Sequence, residues 1–142
     1  DEDLQCYSED TIKVQGDYSL KVLAAQTGSL NKTLTKTIVS DYLDYSIMDV
    51  IKLDIRASRT GSNIKLKIHD TGGVTSEHTI NITSADTWQT EVWDISGIAP
   101  ASRDSIDKII IEIIEASASN TAYFDNLYSK VIVESAHVFI GG

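Results

Sequence analysis

Cross-links and breaks are scarce in this chain, and each scarcity excludes something. The 142 residues include one cysteine, Cys6, so no disulfide can form within the chain. Glu2, Asp3, Glu9 and Asp10 crowd that thiol with negative charge, the opposite of what creates a reactive thiolate, and a small apolar residue near the first strand is expected. Proline occurs once, at Pro100, and no linker, low-complexity stretch or internal repeat interrupts the sequence, so one domain spanning 1–142 is expected. No run approaches the ~20 apolar residues that a membrane-crossing helix needs, and insertion into a membrane is not expected. Lys and Arg number 12 against 21 Asp and Glu, giving a net charge of −9 that argues against nucleic acid as a partner. The chain begins at Asp1, as a mature product or a piece of something longer does.

The signatures of catalysis are missing as well. His69, His78 and His137 stand far apart, with no H-E-x-x-H motif, no G-x-S-x-G elbow and no glycine-rich phosphate loop. Asp54 and Glu77 are carboxylates that a groove between their strands would bring together as acid and base. Charges paired across strands are far more often structural, so the expectation is a protein that binds and does not catalyse.

What the chain has in abundance is alternation. Every second residue is apolar in Ile51-Lys52-Leu53-Asp54-Ile55-Arg56, again in Ile64-Lys65-Leu66-Lys67-Ile68-His69, and again in His78-Thr79-Ile80-Asn81-Ile82. A period of two with one polar face marks half-buried antiparallel strands. Further strands are expected at 11–14, 18–24, 33–39, 88–95, 108–115 and 122–133, with turn residues such as Gly16-Asp17, Thr27-Gly28-Ser29 and Thr71-Gly72-Gly73 between them. Residues 59–63, flanked by alternating runs, predict a hairpin loop. Helical turns are expected at 40–45 and, opened by the proline, at 100–107. The run Ile109-Ile110-Ile111-Glu112-Ile113-Ile114 is apolar on both parities and belongs in mid-sheet. The fold class is therefore all-β, an antiparallel β-sandwich, with a core at about 8–131 and a tail at 132–142 that adds an edge strand or reaches a protein neighbour.

Three segments carry a resemblance: Ser8-Glu9-Asp10-Thr11 followed by Gly16-Asp17-Tyr18-Ser19-Leu20-Lys21-Val22, then Trp88-Gln89-Thr90-Glu91-Val92-Trp93-Asp94-Ile95, then Ala122-Tyr123-Phe124-Asp125-Asn126-Leu127-Tyr128. In this order the chain resembles the galactose-binding-like jelly rolls that serve as carbohydrate-binding modules of polysaccharide-degrading enzymes. The resemblance implies an extracellular or surface-displayed module whose partner is a polysaccharide or other glycan. It also implies a structural calcium that ties the first segment to the last strand, held at Glu9, Asp10, Gly16, Asp17 and Asp125. An aspartate set among Tyr123, Phe124 and Leu127 is expected to be partly buried and to need a partner.

Sugar recognition combines aromatic faces with planar polar side chains. If the middle alternating strands pair as neighbours, their polar parity gathers Asp54, Arg56, Lys67, His69 and Asn81 on one face, and these with Trp88 form the expected ligand site. Trp93 shares parity with Ile95 and is expected in the core. No row of aromatics suited to a flat crystalline surface is visible. The alternative reading is a structural or interaction jelly roll of a virion, surface layer or filament, in which the apolar Val138-Phe139-Ile140 meets protein neighbours.

Overall fold

A computed structural model of the chain describes residues 1–132. The strands run β1 (Leu4–Glu9), β2 (Ser19–Ala24), β3 (Thr33–Thr37), β4 (Val50–Ala57), β5 (Gly61–Asp70), β6 (Thr75–Ile82), β7 (Gln89–Asp94), β8 (Ile106–Ile113) and β9 (Asn120–Lys130). They form two antiparallel sheets, one ordered β1-β2-β9-β4-β7 and the other β3-β8-β5-β6. This is the expected jelly-roll β-sandwich.

Period-two alternation explains the core. On β4 the inward parity is Ile51, Leu53, Ile55 and Ala57, all at most 3% exposed, and on β5 it is Ile64, Leu66 and Ile68. Val22, Phe124 and Trp93 complete the inner face of the five-stranded sheet, and Ile80, Ile82, Ile111 and Ile113 that of the four-stranded one. β8 lies inside its sheet between β3 and β5, as its double apolar parity required. Arg103 is a buried cation, and it spends its donors on the carbonyls of Ile98, Tyr45 and Met48. It thereby satisfies oxygens that would otherwise be stranded in the core.

Several expectations are corrected. Residues 59–63 do not close a hairpin, because both edges of β4 are already paired, with β9 and β7, and the chain crosses to the other sheet. Gly61, at φ 97°, makes the turn into β5. Residues 11–14 are loop, and the first strand is β1, upstream of them. Residues 40–45 form no helical turn. Leu43 exchanges two backbone hydrogen bonds with Ile106, and Asp41 sits at φ 54°. After Pro100 only a short 3-10 helix forms, Pro100–Ser102. The proposed edge strand and interaction tail at 132–142 fall almost wholly outside the described residues.

Packing of this density predicts a steep contrast between buried and exposed isoleucines. Ile80→Ala, at a fully buried site, should cost about 2–5 kcal/mol in urea unfolding. Ile47→Ala, at a side chain 73% exposed, should stay within about 0.5 kcal/mol of the parent.

Candidate functional site

The strand order divides the expected ligand set between opposite faces of the sandwich. Lys67, His69 and Asn81 look outward from the four-stranded sheet, whereas Asp54 and Arg56 look outward from the five-stranded one. The single polar face expected from sequence would have required β4 to pair with β5, and it does not. One groove cannot contain both groups.

On the four-stranded sheet the charges satisfy one another. Lys65 Nζ donates to Glu77 at 2.9 Å, Lys67 pairs with Glu112 and stands 3.8 Å from Glu77, and His69 Nδ1 lies 2.6 Å from Asp107. The Lys65 hydrogen bond holds the Glu77 carboxyl below the usual carboxylate range, and His69 does the same for Asp107. The outward positions of this sheet include threonines and Ile110 but, among the described residues, no phenylalanine, tyrosine or tryptophan. It is a solvated, self-neutralised surface.

The outer face of the five-stranded sheet is different in kind. Cross-strand register sets Tyr7 beside Lys21, Lys21 beside Tyr123, and Tyr123 beside Arg56. Gln89 lies opposite Ile55, so the ladder carried one residue further brings Trp88 to the position beside Arg56. This row spans five strands, about 19 Å at ~4.8 Å per spacing. Tyr7 is 49% exposed and Trp88 half-buried, while Tyr123 is a wedge only 9% exposed, with Lys21 Nζ 5.8 Å from its ring centre. Arg56 makes no hydrogen bond or ion pair with the described residues, and its Nε is buried without an acceptor.

Below that row a bulge shapes the surface. Two residues of β9, Asn126 and Leu127, oppose Leu53 alone, and Asn126 takes φ 54°. The bulge aims Asn126 Nδ2 at Asp54 Oδ2, 3.2 Å away, while Thr90 Oγ1 donates to Asp54 Oδ1 at 2.6 Å. Past the bulge, Tyr128 is 41% exposed and pairs with Lys52. Sequence reasoning picked out Asp54, Arg56 and Trp88, with Lys52 on the same parity, but missed Tyr7 and Lys21 as their neighbours. Only the strand order joins them.

The expected calcium residues lie where the loop 10–18 meets β9, and their oxygens are engaged. Asp125 Oδ2 accepts the backbone N–H groups of Val14 at 2.7 Å and Gln15 at 3.0 Å, and Oδ1 accepts that of Asn126. Glu9 accepts the Thr11 N–H, Asp10 the Thr11 hydroxyl, and the Asp17 carbonyl accepts Lys13 Nζ. Near Gly16 the backbone turns at φ 64°. Among the described residues no three His, Cys, Asp or Glu side chains gather as a metal site. As placed, these groups form a hydrogen-bonded lock around Asp125, whose Oδ1 keeps one acceptor position. Burial raises the Asp125 pKa, but the N–H groups of Gln15, Val14 and Asn126, with the Lys13 ammonium, outweigh it and hold the carboxyl below its ordinary value.

Two further features lie between the sheets. His78 stacks on Trp93 at 5.7 Å and its Nε2 lies 2.8 Å from Glu91 Oε1, clasping β6 to β7; Trp93 is in the core as expected. At the opposite flank a cavity of about 580 Å³ is lined mainly by aliphatic and aromatic side chains, among them Leu20, Leu34, Leu66, Phe124 and Leu127, with Cys6 at its margin. It offers few convergent polar groups for a sugar.

No protein-family model matches this chain, and no curated protein matches it. Solved structures do. A family 30 carbohydrate-binding module superposes with a TM-score of 0.67 at 15% identity, over 97% of this chain and 83% of the module. The family 11 module from Clostridium thermocellum, solved in complex with a β-1,3-1,4-mixed-linked tetrasaccharide, gives 0.64 at 15% identity, over 94% and 91%. An exo-β-agarase also matches, with a TM-score of 0.67 at 14% identity, and there the chain covers 23% of the enzyme's length. The fold of this chain is that of the jelly-roll carbohydrate-binding modules.

The Asp125 lock makes a prediction about stability. Asp125→Ala should destabilise the protein by about 1–3 kcal/mol and expose the Val14 and Gln15 amides to hydrogen exchange. Because the folded pKa is lowered, the wild-type advantage is present above about pH 4 and disappears as the pH falls through the folded pKa. Added calcium should leave the wild-type melting midpoint unchanged, and a rise would show that a cation does enter the lock.

Proposed function

We propose that this chain is a non-catalytic carbohydrate-binding module whose glycan lies across the outer face of the five-stranded sheet. The observation that carries the proposal is the row of Tyr7, Lys21, Tyr123, Arg56 and Trp88, with Tyr128 below it, on a fold shared with modules of families 11 and 30. Exposed rings at Tyr7 and Tyr128 and the half-buried Trp88 offer apolar faces to the C–H surfaces of sugars, and Arg56 and Lys21 offer donors to their oxygens. The carboxylates on this face argue for binding alone. Asp54 is tied to Thr90 and Asn126, and the lowered pKa of Asp125 is the wrong direction for a general acid.

The work of such a module is to hold an attached activity or particle at a glycan surface outside the cell, raising local concentration without tight binding. Its match to a 23% share of an exo-β-agarase supports an appended role of this kind.

The test is a panel of soluble polysaccharides in affinity gel electrophoresis with variants of both faces. Trp88→Ala and Tyr128→Ala should each weaken binding about tenfold, since an aromatic contact of this sort contributes about 1–1.5 kcal/mol. Lys67→Ala and His69→Ala should leave it unchanged. The reverse pattern would move the site to the four-stranded sheet, and no retention on any polysaccharide would contradict the proposal.

A further inference from the structure

The two faces differ in one respect that bears on which glycan is bound. On the four-stranded sheet Lys65, Lys67 and the His69 imidazole each have a carboxylate partner, while Lys108, opposite His69, makes no ion pair with the described residues. On the five-stranded sheet Lys21, Lys52 and Arg56 have none among the described residues. The acids close to them are already engaged: Asp54, 8% exposed, accepts from Thr90 and Asn126, and Asp125 accepts from three backbone amides. The carboxylates nearest these cations are thus already engaged, and the exposed Asp94 at the end of β7 accepts from Ser96, while the cations keep spare donors. In a protein of net charge −9 that asymmetry runs against the overall composition.

We infer that the face binds an acidic glycan, with a carboxylate or sulfate group of the sugar seated between Lys21 and Arg56 above the Tyr123 wedge. This rests on the reading of that face as a glycan site. The two cations occupy register positions on either side of Tyr123, about 10 Å apart along the row, and Lys21 already leans over the ring. Tyr123, nearly buried, keeps water from beneath them, which strengthens their pull on an anion. The guanidinium of Arg56 presents a planar fork that matches both carboxylate and sulfate oxygens, and it makes no ion pair with the described residues. The flanking rings of Tyr7 and Trp88 then bear on the sugars to either side. The net charge repels a polyanion as a whole, so the contact is local and short-ranged and must weaken with salt.

The experiment measures the full chain against polygalacturonate and alginate, which carry carboxylates, against carrageenan, which carries sulfate, and against neutral agarose and mixed-linkage β-glucan. Acidic polymers should be retained more strongly than neutral ones, and about tenfold less at ~0.5 M than at ~0.05 M salt. Arg56→Gln and Lys21→Gln should each weaken the acidic interaction about tenfold, as the loss of a charge-assisted hydrogen bond does. Neutral binding should fall by a smaller factor, as the loss of an uncharged hydrogen bond does. Lys67→Gln makes the same change in net charge on the other face and should affect neither. Retention by only one anion class supports the inference and names the anion. Equal, salt-insensitive binding of neutral polymers that survives Arg56→Gln and Lys21→Gln overturns the acidic specificity while the glycan face stands. Failure to bind any polymer overturns both.

Discussion

The corner at residues 58–60 decides which side chains share a surface. Ser58 donates its backbone N–H to Thr121 and takes the Thr121 N–H on its hydroxyl, while Arg59 reaches across to Glu115, to Ser117 and to the Ala118 carbonyl. Ser117 first and Arg59 second hold the Glu115 carboxyl below its ordinary range, so the clasp is ionised at neutral pH. These bonds turn the chain from one sheet into the other between two strands of nearly identical pattern. Had β4 and β5 paired, the apolar residues would still have found a core. The polar residues would have formed one continuous charged face.

With the corner in place, the same alternation produces two unlike surfaces. β5 faces outward between β6 and β8, whose Glu77, Glu112 and Asp107 neutralise its cations. β4 faces outward between β9 and β7, whose outward residues near it are Tyr123, Asp125, Tyr128, Thr90, Val92 and Asp94, the two acids already accepting from neighbouring amides and hydroxyls. An arginine set among rings and hydroxyls keeps its hydrogen-bonding capacity for something else. The Asp125 lock contributes by tying the 10–18 loop to β9 beside the bulge, which holds Asn126 against Asp54. Support of that kind keeps a shallow site from collapsing or wandering.

Much of the fold was legible in the sequence because period-two patterns report burial directly. Strands β4 to β9 lie where alternation and turn residues set them, and the parity of Trp93 placed it in the core. β1 was not legible: of its six residues only Leu4 is buried, and an edge strand with one inward anchor leaves little pattern. Strand order was not legible either. Pairing of β4 with β9 joins residues some 70 apart in sequence, and nothing local in Ile51-Lys52-Leu53 announces it. The candidate site suffered most from this, since Arg56 was visible as a planar donor but its neighbours Tyr123 and Lys21 come from distant strands. Glu9, Asp10 and Asp125 were brought together only by the resemblance, not by any local pattern. That backbone amides would fill Asp125 depended on the loop conformation, which the residue types do not reveal.

The central claim is that one face of the sandwich, the five-stranded one, takes up a glycan through the row that Arg56 and Tyr123 share. Backbone amide chemical shifts of the labelled chain during titration with oligogalacturonate test it most directly. Shifts concentrated at Lys21, Arg56, Trp88 and Tyr123, with Lys67, His69 and Asn81 unmoved, are the predicted result. Shifts concentrated on β5 and β6 instead would contradict it.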